Sequence, residues 1–287
     1  MEKRVHEVEW LGNTTREAAI KKVKATAKLV GASDVTEDFN FLENSTLLSN
    51  VEKALRLTTE RNLQLAGKPV DRFQWRTTAA TVNAHHVPFL NQVAIPVGFL
   101  QSPVFNMTYH PVRNFGVLGT SIGHEITHGY DSKGRFYDEN GSIHLWWTDA
   151  DDAEFVRRSQ CFIDQYSSLE LTDDEGQYVI NNNCTTTLGE NIADNVGLKL
   201  AHEGYKAFAE KNPDQHDEVE RLFFISFGQM LCHVAKADYI KEAVLKHHHS
   251  APQARINGMM MNSKAFAEAF QCPVESAMNP EIKCEIW

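Results

Sequence analysis

Apolar positions recur along this chain with two different periods. Ile20, Val23, Ala27 and Val30 are spaced three and four apart. That spacing predicts a helix opened by a Thr14-x-x-Glu17 capping box and stopped by Gly31. Leu48, Val51 and Leu55 share one face of a second helix expected from Ser45 to Gly67. Three more helices are expected: Val117 to His128 closed by Gly129, Leu188 to Phe208, and an apolar one from Val219 to His233. Thr81-Val82-Asn83-Ala84 and Gln92-Val93-Ala94-Ile95 read as short strands. Pro96, Gly98 and Pro103 end the second, and a proline there suits an edge strand. The pattern divides the chain into a helical piece (1–67), a linker (68–75) and a larger unit (76–287), mainly α with a small β-sheet (α+β).

Composition narrows the class. With 287 residues, 42% hydrophobic and 23% charged, the chain suits one large core or two smaller ones. The longest uncharged apolar stretch, Leu222 to Ala235, is interrupted by Ser226, Gln229 and His233, so no membrane span is expected. No apolar segment follows Met1-Glu-Lys-Arg4, and no signal peptide is visible. The net charge is −10: residues 76–287 carry 16 Lys/Arg against 27 Asp/Glu, and residues 1–75 carry 12 against 11. Such a surface repels phosphate backbones, so nucleic acid is not an expected partner. The five cysteines form no CxxC pair, which argues against a structural zinc knuckle. Asn-x-Ser/Thr sequons at Asn13, Asn44, Asn106 and Asn183 lean toward an oxidising, extracellular compartment. An incomplete chain would reconcile that compartment with the missing signal peptide.

Chemistry concentrates in Gly123-His124-Glu125-Ile126-Thr127-His128-Gly129, which contains H-E-x-x-H. On a helix, positions i and i+4 lie on one face, so both imidazoles reach a single Zn²⁺, and the intervening Glu faces the water it activates. Two surface histidines on an acidic helix are the plain alternative, and Ile122 and Ile126 argue against it. A third ligand is available from Glu190, with Asp194 on the same helical face to accept a hydrogen bond from a ligand histidine. Without H-E-x-x-H the same two acids would read as an exposed E-x-x-x-D pair.

These motifs resemble the C-terminal part of the neprilysin and endothelin-converting-enzyme family of zinc metalloendopeptidases. The resemblance rests on Asn83-Ala84, Gly123 to Asp131, Thr187 to Asn195, Met278 to Cys284, the terminal Cys284-Glu-Ile-Trp287, and the Pro69 to Arg72 and Trp75 lead-in, in family order. It implies a thermolysin-like zincin (gluzincin) catalytic domain that hydrolyses internal bonds of oligopeptides. One Zn²⁺ per chain would be held by His124, His128 and Glu190, with Glu125 as general base. Asp194 would orient His124, and Asp131 would orient His128. Asn83 and Ala84 would hold the substrate backbone by strand addition. His249 would donate to the oxyanion, and Arg255 would grip a substrate carbonyl. Phe99, Val104, Met230 and Leu231 fall on the family's apolar side-chain pocket.

The resemblance also implies a Cys161–Cys284 disulfide, and it matches Cys232 and Cys272 to cysteines whose partners lie in a half of the family protein not present here. Cys184 has no family counterpart. Full-length members carry a membrane helix and an N-terminal helical lobe, of which residues 1–67 would be the end. The expectation is therefore a piece of a longer extracellular or plasma-membrane ectoenzyme, its oligomeric state open. The alternative is a catalytically incompetent metal- or peptide-binding fragment without its capping lobe.

Overall fold

The computed structural model describes residues 1–33, 40, 42, 46–212 and 220–287. The chain opens with helices α1 (Glu2–Glu7) and α2 (Asn13–Ala25) and strand β1 (Ala27–Gly31). Two expectations change here. The predicted helix does not continue to Gly31: α2 ends at Ala25, and Ala27 and Leu29 turn inward while Val30 is 68% exposed. The i, i+2 pair of apolar residues therefore governs this segment, because a parallel partner strand is in place to receive it. The capping box does not form either. The cap of α2 is Gly12, whose N–H donates to Asp151 Oδ1 at 2.8 Å, and the Thr15 hydroxyl donates to Asp151 Oδ2 at 2.6 Å. A carboxylate from 139 residues away thus serves the N–H of the cap residue, the part a Glu three positions on plays in a capping box.

Helix α3 (Leu47–Gln64) is capped by Thr46, whose hydroxyl accepts from Ser49 N at 3.2 Å. Ser45, its expected start, lies outside the described residues. In the expected linker, the Arg72 guanidinium donates to Ala25 O and to Leu90 O (2.8 Å), tying the end of α2 to the next turn. Strands β2 (His85–Val87) and β3 (Gln92–Pro96) follow, and the sheet order is β1-β3-β2, with β1 parallel and β2 antiparallel to β3. The strand expected at 81–84 begins instead at His85. β3 is the central strand, not an edge, and Pro96 is tolerated because it is the last residue of the strand.

The H-E-x-x-H helix is longer than its apolar period indicates. It starts at α4 (Pro111–Asn114), passes through a π-helical turn at Phe115–Gly119, continues as α5 (Thr120–Thr127) and tightens to 3₁₀ at His128–Tyr130. Gly129 is inside that last turn rather than capping it. Then come α6 (Asp149–Ser168), the hairpin β4 (Glu170–Thr172) and β5 (Tyr178–Asn181), and the long α7 (Cys184–Lys211). Four helices complete the chain: α8 (Glu220–Met230), α9 (Ala237–Lys246), α10 (Pro252–Asn262) and α11 (Lys264–Ala269).

The largest apolar cluster joins both ends of the chain. Val5, Val8, Leu11 and Ala19 pack with Phe155, Phe162, Ile192 and Trp287, so residues from the expected helical piece 1–67 share a core with the C-terminal tail. The tail is held by the Cys161–Cys284 disulfide to α6, the bond that the family resemblance implies. The Trp287 indole donates to Tyr130 O at 3.0 Å, and the Trp10 indole donates to Ile286 O at 2.8 Å. Ile192 and Val196 of α7 and Tyr130 of the turn after α5 belong to this core.

Candidate metal centre

Helices α5 and α7 cross where Gly123 meets Gly197. A Cβ on Gly123 would stand 2.6 Å from Gly197 O, and a Cβ on Gly197 would stand 2.6 Å from His124 N. Only glycine permits this approach, and it brings Glu190 and Asp194 beside the two histidines. His124 Nδ1 bonds Asp194 Oδ1 at 2.8 Å, and His128 Nδ1 bonds Asp131 Oδ2 at 2.6 Å. Each carboxylate fixes its ring with Nδ1 protonated and Nε2 turned inward. The two Nε2 atoms then converge to 2.9 Å.

Glu190 Oε2 completes the cluster. It is buried and makes no hydrogen bond, although Nε2 of His124, His128 and His249 stand 3.2, 3.5 and 3.0 Å away. Ligands bonded tetrahedrally at about 2.0–2.1 Å to zinc stand roughly 3.3–3.4 Å from one another. Lone pairs brought to that spacing without shared hydrogens fit a divalent cation between them. Two sets of three share His124 and Glu190. One is completed by His128; the other by His249, with ligand atoms all within 4.8 Å of one another. His128 is fixed by Asp131, whereas His249 comes from a loop with its side chain 47% exposed.

Electrostatics follow the geometry. Burial pulls the His124 and His128 pKa values down, but the hydrogen bonds that Asp194 and Asp131 accept, together with the nearby Glu190 carboxylate, outweigh it and raise both above the usual 6.5. Burial pushes the Asp194 carboxyl up; the Arg255 guanidinium and His124 more than offset it, holding Asp194 well below the usual carboxylate range. Asp131 is likewise lowered, against burial, by His128 and by the backbone N–H groups of Gly134 and Lys133.

Arg255 reaches Asp194. Its Nε and Nη2 both donate to Asp194, each at 2.7 Å; Nη1 takes no part in that pair. It braces the acid that orients His124. Glu125, 8% exposed, follows His124 on α5. Ala84 is buried against Val93 and Ile95, Asn83 is exposed, and both immediately precede the edge strand β2. Phe99 packs with that sheet cluster, whereas Met230 and Leu231 pack with Phe223 and Phe227, so these pocket candidates belong to two separate clusters.

Several supporting residues carry no motif. Ser250, next to His249, sits in a buried polar knot: its hydroxyl donates to Asn191 Oδ1 at 2.9 Å and accepts from Asn182 Nδ2 at 3.0 Å. Asn191, beside Glu190, also donates to Thr187 Oγ1 and to the Cys184 sulfur. Cys184 is a free, buried thiol, pushed up by burial to about 11. Cys232 is free and exposed, and Cys272 is free and half-buried. Of the four expected sequon asparagines, Asn13 is exposed, Asn106 and Asn183 are half-buried, and Asn44 lies outside the described residues; a fifth sequon, Asn140-Gly-Ser142, also has its asparagine exposed. Asn183 also caps α7 by accepting from Thr185 N at 3.1 Å. Among the described residues, no helix is long and apolar enough to cross a membrane.

The family model described as peptidase family M13 matches residues 83–286. The chain is 34% identical over 296 residues to an endothelin-converting enzyme homolog of Locusta migratoria, covering 98% of this chain and 40% of that protein. It is 34% identical over 294 residues to human neprilysin, covering 97% of this chain and 39% of the relative. The chain thus spans about two fifths of the length of these curated relatives. Its fold matches the zinc metalloprotease Zmp1 of Mycobacterium tuberculosis in complex with an inhibitor, with a TM-score of 0.87 and 30% identity over 100% of this chain and 45% of the other. PepO from Lactobacillus rhamnosis matches with a TM-score of 0.83 and 26% identity, covering 98% of this chain and 43% of that one. The mainly helical fold with small sheets is that of these metalloproteases, and the chain belongs to peptidase family M13.

Proposed function

We propose that this chain is the catalytic part of a zinc metalloendopeptidase that cleaves internal bonds of oligopeptides. The observation that carries the reading is the convergence of two carboxylate-anchored imidazoles on Glu190 Oε2, which makes no hydrogen bond. His124, His128 and Glu190 would hold one Zn²⁺. Three protein ligands leave one position open, as in catalytic rather than structural zinc sites. Bound there, zinc supplies a Lewis acid for the scissile carbonyl and lowers the pKa of water toward about 7.

The chain's own residues do the rest. The Glu125 carboxylate takes a proton from the attacking water and returns it to the leaving amine nitrogen. His249, on its exposed loop, turns its Nε2 from Glu190 to donate to the developing oxyanion. Arg255 keeps Asp194 ionised and His124 oriented, and any grip on substrate falls to its Nη1. Asn83 and Ala84, beside the outer edge of β2, receive an extended peptide backbone. The relatives' length and the sequons support a longer ectoenzyme as the parent protein, with glycosylation at the sequons.

Glu125→Gln tests this reading. The variant should bind zinc as the wild type does, while kcat/KM on an internally quenched oligopeptide falls by about 10²-fold or more. Undiminished cleavage with zinc retained would remove Glu125 from the mechanism. Zinc-bound wild type without chelator-sensitive cleavage would favour a binding module.

A further inference from the structure

Lys22 is the least expected residue in the interior. It lies on α2, far in sequence from the metal centre, and is 1% exposed. Its ammonium donates to three backbone carbonyls: Gly129 O at 2.5 Å, Gly134 O at 2.8 Å and Tyr137 O at 2.7 Å. Three N–H donors meet three acceptors, so the group is fully satisfied away from water. The Tyr130 and Trp146 rings stand 5.2 and 5.6 Å from the nitrogen and shield it further.

The placement of those carbonyls is the informative part. Gly129 O belongs to the last turn of the helix that carries His124 and His128; Gly134 O and Tyr137 O belong to the loop after it. Between them sits Asp131, whose Oδ1 accepts from Lys133 N and Gly134 N, both at 2.7 Å, while Oδ2 holds His128. The turn is thus gripped twice. Asp131 collects its N–H groups, and Lys22 collects its carbonyls. A cation also suits the carbonyl end of a helix. A second tie runs beside the first, from the Tyr130 hydroxyl to Ala19 O at 3.0 Å.

We propose that Lys22 is a positioning residue of the metal centre: by fixing the 129–137 turn, it aims the Asp131 carboxylate at Nδ1 of His128. The proposal rests on the metal-centre reading above. It makes the N-terminal segment part of the catalytic architecture. Burial pulls the Lys22 pKa down to about 7 against Asp131 and Asp138, in keeping with a cation held only by the carbonyls that replace its water.

The test compares zinc affinity in the full 287-residue chain as wild type, Lys22→Met and Val5→Ala. Val5 is fully buried in the same core but is not placed at the turn, and serves as a control for lost stability. Lys22→Met should weaken zinc binding about 10–100-fold. Val5→Ala should lower Tm and leave zinc affinity within twofold. Lys22→Gln, which keeps two donors, should fall between wild type and Lys22→Met. Unchanged affinity in Lys22→Met, or an equal loss in Val5→Ala, overturns the proposal while the metal-centre reading stands. Failure of both Lys22 variants to fold assigns the residue to stability alone and also overturns it. A wild type that binds no zinc overturns the proposal and the metal-centre reading together.

Discussion

The α5–α7 crossing and helix α3 begin from similar apolar spacing and end in opposite surroundings. At the crossing, His124, Glu125 and Asp194 are buried, and two glycines let the backbones touch. Helix α3 buries no residue at all. Its Leu47, Leu48 and Leu55 are 81%, 67% and 63% exposed. Helical spacing of apolar residues predicts that a face exists; it says nothing about what covers that face. In the crossing, the partner is another helix of this chain, brought close by small residues. At α3, Leu48, Val51 and Leu55 stay exposed.

Breaking the crossing should have the largest consequences. Asp194→Ala removes the partner of both Arg255 and His124 and leaves a buried guanidinium uncompensated. The expected loss is about 3–5 kcal/mol, read from urea unfolding. The sign of its acid dependence follows from its depressed pKa. The Asp194 contribution is fully present above the unfolded value of 3.8 and is lost as pH falls below it, so Asp194→Asn should show a flatter stability profile than wild type below pH 3.8.

Gly197→Ala comes next. Its new Cβ meets His124 N and Cα, and overpacking of this kind costs about 1–3 kcal/mol. Because the clash separates Glu190 from the histidines, zinc affinity should fall with stability; a fold that absorbs the methyl with zinc affinity intact would show that the close approach is not needed.

Acidification should weaken zinc binding in the wild type, starting above pH 6.5, because the raised His124 and His128 must lose a proton to receive the ion. A pH titration of zinc affinity that stays level down to pH 6 would remove these imidazoles from the site. The smallest effect belongs to α3. Leu48→Ser and Leu55→Ser should each shift unfolding by no more than about 0.5 kcal/mol. A larger loss in either would reveal that α3 is covered in solution.

How much was legible in the sequence follows the same division. H-E-x-x-H and the Glu190–Asp194 pair were readable because each places its chemistry one helical turn apart on a single element. Long-range partners were not. Asp151 caps α2 and Lys22 grips the 129–137 turn, and no local pattern announces either. A weak signal for Lys22 does exist: Thr15, Ala19 and Lys22 recur on one buried face of α2, and a lysine in such a row asks where its charge goes. Ala27 to Gly31 misled for a related reason. Apolar residues at 27, 29 and 30 fit either period over so short a run, and β3, 65 residues on, decides between them.

The central claim is that two imidazoles of the α5 turn and one carboxylate of α7 hold a single zinc ion. Anomalous scattering at the zinc edge from crystals of the chain grown with Zn²⁺ tests it most directly. The account predicts one strong peak about 2.0–2.1 Å from Nε2 of both His124 and His128, with Glu190 as the third protein ligand. No peak there, or a peak held by other residues, would contradict it.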